Sequence, residues 1–358
     1  MSRFLSARHA ALVPYAPGEQ PQDRRYVKLN TNESPFPPSP AVVAAAAEEA
    51  GRLNLYSDPE CAVLRQKAAA LYGVRPENIL PVNGSDEILY FAFLAFGDEA
   101  HPFSFPDISY GFYPVYADMC HVPAHILPLR EDFSVDPADY IGRGENIVLA
   151  NPNAPTGMAL SPDEIESIVA SNPDSVVIVD EAYIDFGGVS CVPLIEKYDN
   201  LLVTQTFSKS RSLAGARLGF GIGCESLIRD LNTVKYSVNP YNVNRMTQAA
   251  GCAAIDDNAY FMENCRVIAE NREYTARALE AMGFRVLPSL ANFLFAKSAD
   301  IGGFELYAAL KSRGVLVRHF PKDRIADFVR ITVGAREQMD MLLGSIREIL
   351  QEKGGSQT

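Results

Sequence analysis

The chain has 358 residues, 47% of them hydrophobic and 21% charged, which is ordinary for a globular protein and long enough for two domains or one large one. Its formal charge of −12 argues against a general nucleic-acid binder, which would show a basic face, although a few local arginines can still dominate one pocket. No apolar run reaches the length of a membrane span, and the start Met1-Ser2-Arg3-Phe4-Leu5-Ser6-Ala7-Arg8 lacks the apolar core of a signal peptide, so no membrane partner is expected.

The first forty residues are rich in proline and read as an extended arm, with a turn-rich segment Asn30-Thr31-Asn32-Glu33-Ser34-Pro35. Residues 39 to 51 predict a helix: Ser39 as N-cap, Pro40 in the first turn, Gly51 after an alanine-rich run. From about 79 to 224 short apolar runs alternate with helix-like segments. Ile147-Val148-Leu149-Ala150, Val176-Val177-Ile178-Val179 and Leu201-Leu202-Val203 are continuous rather than alternating, as strands buried on both faces are. The alternation predicts an α/β fold with a mostly parallel sheet. After about 245 the texture changes to a long charged helix over 258–282, ended by Gly283. Strand-like runs at 292–295, 314–317 and 328–333 follow, and together they predict a smaller α+β domain. The tail from Lys353 to Thr358 reads as frayed.

Six cysteines are scattered with no C-x-x-C pair, which suits idle thiols in a reducing, cytoplasmic setting. His121 and His125 are separated by Pro123, which removes the helical spacing a zinc pair needs, and no metal is expected.

In open parallel sheets ligands gather at the carboxyl ends of the strands. Polar side chains do follow the apolar runs: Asn153 after 147–150, Asp180 and Tyr183 after 176–179, and Thr206, Ser208 and Lys209 after 201–203. Gly84-Ser85-Asp86 follows the run 79–82 and opens an apolar helix. A lysine amine can bond covalently to an aldehyde. A helix start, hydroxyls and an arginine suit a phosphate. Pyridoxal 5'-phosphate carries both groups. On this reading Lys209 holds the aldehyde, while Ser85, Asp86, Thr206, Ser208 and Arg217 receive the phosphate. Asp180 faces the ring nitrogen, Asn153 and Tyr183 face the phenolic oxygen, and Tyr110 covers the ring. Ser85 and Asp86 also fit a plain helix cap, and Tyr110 a core aromatic.

The set resembles the fold-type I enzymes that use pyridoxal phosphate, and more narrowly the histidinol-phosphate aminotransferase family. The matching stretches include Leu29-Asn30-Thr31-Asn32-Glu33-Ser34-Pro35, Tyr56-Ser57-Asp58-Pro59, Asn151-Pro152-Asn153-Ala154-Pro155-Thr156-Gly157, Asp180-Glu181-Ala182-Tyr183, Thr206-Phe207-Ser208-Lys209 and Pro240-Tyr241-Asn242-Val243-Asn244. Ala154 departs from relatives that carry a second asparagine there. The resemblance implies an arm over 1–40, a large cofactor-binding domain over 41–255 with a mostly parallel seven-stranded sheet covered by helices, and a small α+β domain over 256–358. It implies a homodimer with shared active sites, in which Tyr56 reaches the neighbouring subunit's cofactor phosphate. Arg330 would grip the donor carboxylate, Arg318 would help hold a substrate phosphate, Tyr15 and Tyr241 would close that phosphate pocket, and Asn32 would line the substrate side. The implied reaction moves an amino group from histidinol phosphate to 2-oxoglutarate. Aromatic amino acid transamination, threonine-phosphate decarboxylation and cofactor binding without turnover are the rival readings.

Overall fold

The computed structural model describes residues 2–355. Its centre is a seven-stranded sheet in the order Ile79–Val82, Gly219–Gly223, Leu201–Thr206, Val177–Asp180, Asn146–Ala150, Phe103–Pro106, Ala124–Leu127. Only Gly219–Gly223 runs against its neighbours; the five strands beyond it pair in parallel. The apolar runs are continuous because alternate residues enter different cores. Ile147, Leu149, Val177, Val179, Leu201 and Val203 join one buried cluster, and Val148, Ile178 and Leu202 join another. Full burial of each such side chain contributes about 1.5–3 kcal/mol.

The reversed strand explains a glycine-rich run that has no nucleotide-binding spacing. Phe220 and Ile222 fill the first core. Gly219 and Gly221 make room for the helix Ser85–Phe96. A Cβ on Gly219 would lie 2.6 Å from the Ser85 nitrogen, and one on Gly221 2.7 Å from Ile88. The missing side chains let the helix start press onto the strand ends.

A second body of apolar packing gathers Leu29, Tyr183 and Phe186 with residues from Cys265 to Ile349. It surrounds the antiparallel sheet Arg318–His319, Val329–Thr332, Phe293–Ser298, Phe284–Val286. The early segment is not wholly free. Val27–Lys28 pairs in parallel with Val315–Leu316. Helix Pro40–Ala50 forms where expected, but Ser39 caps it by backbone shape alone: its hydroxyl is buried without a partner. The last helix, Arg336–Gly355, takes in the first half of the stretch read as frayed; residues 356–358, like Met1, lie outside the described residues. All six cysteines are unpaired. Among the described residues no helix is long and apolar enough to cross a membrane.

Candidate active site

The carboxyl ends of Asn146–Ala150, Val177–Asp180 and Leu201–Thr206 open onto a cavity of about 170 Å³. Its lining includes Ser85, Asp86, Tyr110, Asp180, Tyr183, Thr206, Ser208, Lys209 and Arg217. A wider cavity of about 560 Å³ shares Tyr110, Tyr183 and Lys209 with it and adds Tyr15, Asn32, Arg318 and Arg330. One inner chamber and one outer vestibule thus meet at the lysine.

Lys209 follows the longest strand of the sheet. Its Nζ has one hydrogen bond, 3.4 Å to the Thr31 carbonyl. Burial first, then the Arg330 charge, bring its pKa down to about 8. A neutral, nucleophilic amine is therefore accessible near physiological pH.

Asp180 is buried at the end of its strand. Tyr113 donates a hydrogen bond of 3.0 Å to its Oδ2, and Thr204 lies 3.5 Å from Oδ1. Among the described residues no lysine or arginine pairs with it. Burial pushes its carboxyl up to about 6, although the Tyr113 hydrogen bond pulls the other way. A buried carboxylate without a cation is costly, so this one suits a cationic ring nitrogen.

Gly84 sets the phosphate end. Its φ of +81° turns the chain into the helix that starts at Ser85. A Cβ there would come within 2.4 Å of Arg217 Nη2, so only glycine admits the guanidinium above the helix start. Arg217 Nη1 donates to Ser208 Oγ at 3.2 Å and Nη2 to Asp86 Oδ2 at 2.9 Å. Asp86 also accepts a 2.6 Å bond from Tyr110, which orients that ring at the cavity wall. Thr206 Oγ1 sits 2.9 Å from Ser208 Oγ and 3.2 Å from the Leu218 carbonyl.

In the vestibule, Arg330 is held by Nη2 to the Asn30 carbonyl at 3.1 Å, while its buried Nε has no partner. Phe293 and Phe320 lie 5.3 and 5.5 Å from its guanidinium. Arg318 binds the arm carbonyls of Ala16 and Pro17. Tyr15 stacks on Phe112 at 4.2 Å. Asn32 donates to Tyr183 Oη at 3.0 Å and accepts from Thr332 Oγ1 at 3.0 Å.

Three expected residues lie elsewhere in this protomer. Asn153 lines neither cavity. Its amide is engaged by the Ile108 carbonyl, Thr156 and Ser109, and its neighbour Ala154 forms the wall instead. Tyr56 and Tyr241 stack on each other at 4.4 Å on the outer surface. Tyr113, by contrast, was not among the sequence candidates. Its only signal was a position three residues after Tyr110, where a core aromatic is equally suited.

The residues present fit pyridoxal phosphate at both ends: an amine of lowered pKa, an unpaired buried carboxylate, and a glycine cradle under an arginine.

Residues 24–346 match the family described as aminotransferase class I and II. A histidinol-phosphate aminotransferase of Bradyrhizobium diazoefficiens is 50% identical over 98% of this chain and 100% of its own. One from Brachyspira hyodysenteriae is 47% identical with the same coverage. The crystal structure of histidinol-phosphate aminotransferase from Sinorhizobium meliloti, in complex with pyridoxal-5'-phosphate, superposes with a TM-score of 0.83 at 25% identity, covering 92% of each chain. L-threonine-O-3-phosphate decarboxylase from Porphyromonas gingivalis, at 22% identity and a TM-score of 0.79 over 90% of this chain and 99% of its own, shares the fold. The chain belongs to the aminotransferase class I and II family and, within it, to the histidinol-phosphate aminotransferases.

Proposed function

We propose that this enzyme transfers the amino group of L-histidinol phosphate to 2-oxoglutarate, giving imidazole acetol phosphate and glutamate, with pyridoxal phosphate seated on Lys209. The observation that carries the site assignment is the pairing, within one cavity, of a lysine with a pKa near 8 and a buried carboxylate that has no cation. Full-length relatives at 47–50% identity support the substrate, whereas likeness to the decarboxylase stops at the fold.

When bound, pyridoxal phosphate supplies an aldehyde for amine exchange and a ring that accepts electrons. In this reading Lys209 Nζ is the amine that would hold the aldehyde and, when free, the base that would take up and return a proton. Asp180 would hold the ring nitrogen and Tyr110 would cover the ring. Tyr183 Oη receives a hydrogen from Asn32, which leaves its own proton to point at the phenolic oxygen. Ser85, Asp86, Thr206, Ser208 and Arg217 form the phosphate end. With the Asn153 amide engaged elsewhere, Tyr183 carries the phenolic contact on its own. Arg330 binds the carboxylate of glutamate or 2-oxoglutarate, and Arg318 with Tyr15 bounds the place of the substrate phosphate, because two guanidiniums in one vestibule suit two anions in turn.

The chain divides, on this reading, into an arm over 1–40, a large domain over 41–255 and a small one over 256–358. The active form is a homodimer in the cytoplasm. Val43, Leu53, Leu55, Tyr56, Val63 and Tyr241 are exposed apolar side chains, and Tyr56 and Tyr241 stack on each other. Arg245 ties the Tyr56 carbonyl back at 2.9 Å. A second copy covering them would account for their exposure and would offer Tyr56 to its partner's phosphate end.

The test is a half-reaction. The yellow holoprotein should lose its visible band with L-histidinol phosphate far faster than with phenylalanine, and release no carbon dioxide from threonine phosphate. A preference for phenylalanine would overturn the substrate assignment. Borohydride reduction followed by peptide mapping should place the cofactor on Lys209; an adduct elsewhere would overturn the site.

A further inference from the structure

We propose that Tyr113 is a positioning residue whose hydroxyl keeps the ring-nitrogen proton on the cofactor rather than on Asp180. The inference rests on the reading that Asp180 faces that nitrogen. Tyr113 is fully buried at the first turn of the helix Tyr113–Cys120. Its Oη donates to Asp180 Oδ2 at 3.0 Å. Its ring stands edge-on to Tyr110 at 5.7 Å and tilted against Phe105 at 5.8 Å, so the hydroxyl has little freedom to turn away. The same four-residue segment thus presents one tyrosine to the ring face and another to the carboxylate below it.

The chemistry follows from one shared proton. A carboxylate that keeps a strong donor is a weaker base than one without it. If that donor is deleted, Asp180 gains basicity, and the shared proton moves from the ring nitrogen to the carboxylate oxygen. No electron changes hands; the ion pair becomes a neutral pair, and the ring loses its pull on electrons. The hydroxyl itself remains a donor, since burial holds Tyr113 protonated well above the ordinary range. Other charged or titratable groups acting on Asp180 and its tyrosines are Asp86 at the helix start, Tyr183 in the turn after the strand, and Tyr116 one helical turn on; Arg330 acts in turn on Tyr183, and Arg217 and Cys120 on Tyr116.

Tyr116 supplies the control. It shares the helix and the buried cluster, but its hydroxyl has no hydrogen-bond partner. The experiment loads the full-length protein with pyridoxal phosphate labelled with nitrogen-15 in the ring, and follows the ring-nitrogen chemical shift against pH, with no substrate present. Tyr113→Phe should pull the ring-nitrogen shift of the protonated plateau, below the deprotonation midpoint, toward the neutral-pyridine value, through the roughly tenfold change in proton partition that one hydrogen bond to a charged group carries. Tyr116→Phe should leave the plateau in place. Placing 3-fluorotyrosine at position 113, a stronger donor of the same shape, should move the plateau toward the pyridinium value and serves if the phenylalanine variant does not fold. An unmoved plateau in Tyr113→Phe, or an equal shift in Tyr116→Phe, overturns the proposal while the Asp180 reading stands. Asp180→Asn should lower the midpoint of ring deprotonation; if it does not, the Asp180 reading fails and takes the proposal with it.

Discussion

Asp180→Asn should stabilise the cofactor-free protein and destabilise the loaded one. In the cofactor-free protein the side chain is a buried carboxyl whose pKa has risen from 3.8 to about 6. The sign follows from linkage: a raised folded-state pKa gives stability that is complete below 3.8 and is lost as pH climbs through about 6. Above that range the native state carries a cost of about 3 kcal/mol, from about 1.36 kcal/mol per pH unit. Asparagine has no charge to bury and still accepts the Tyr113 hydrogen bond. Urea unfolding of both proteins without cofactor should therefore favour the variant by about 2–3 kcal/mol near neutral pH. The gap should close as the medium is brought toward pH 4, where the wild-type carboxyl takes up its proton. With saturating pyridoxal phosphate the order should reverse, because the wild-type charge then has a cationic neighbour. A variant no more stable than wild type near neutral pH, or a gap that does not change with pH, would refute the argument that this carboxylate waits unpaired for a cation.

Gly84→Ala should weaken cofactor binding by at least about tenfold, since the new methyl would sit 2.4 Å from Arg217 Nη2 on a backbone of positive φ; fluorescence titration of the cofactor-free protein reads this, and unchanged affinity would count against the cradle. Because Lys209 loses its proton near pH 8, stopped-flow capture of pyridoxal phosphate should speed up about tenfold per pH unit below that point and level off above it. A break near the ordinary lysine value of about 10.4 would mean the amine is not desolvated. Tyr56→Phe and Lys209→Ala proteins, each impaired alone, should regain part of the activity when unfolded and refolded together, because one site of the mixed dimer would be intact. No recovery in a verified mixed dimer would argue that Tyr56 serves its own protomer or none.

The parts of this site that were legible in the sequence are those fixed by chain order. Lys209, Asp180 and Thr206 follow buried runs directly, and a parallel sheet delivers such positions to one rim. Arg217 was legible by type, as a cation near the lysine, but Gly84 as its seat was not: that requires knowing that strand Gly219–Gly223 turns back and presses the helix start onto it. The edge strand Ala124–Leu127 escaped notice because its residues are half exposed or exposed and carry no apolar run. Asn153 shows the finer limit. Residue type made it a suitable donor, yet Ile108, Ser109 and Thr156 engage its amide, and the first two lie over forty residues away, where local pattern does not reach. Tyr113 is the converse: aromatic periodicity marks it as core, which it is, while its hydroxyl has a second role that only the fold reveals.

The amino-terminal arm has an engineering consequence. Residues 13–18 wall the vestibule, yet none of the described residues before Val27 belongs to the four apolar clusters. Folding and substrate enclosure are thus encoded in separable stretches of chain. A protease nick or a cloning truncation near residue 20 would remove a wall of the vestibule while leaving all four apolar clusters in the chain, so quality control by melting temperature alone is a poor guard against it.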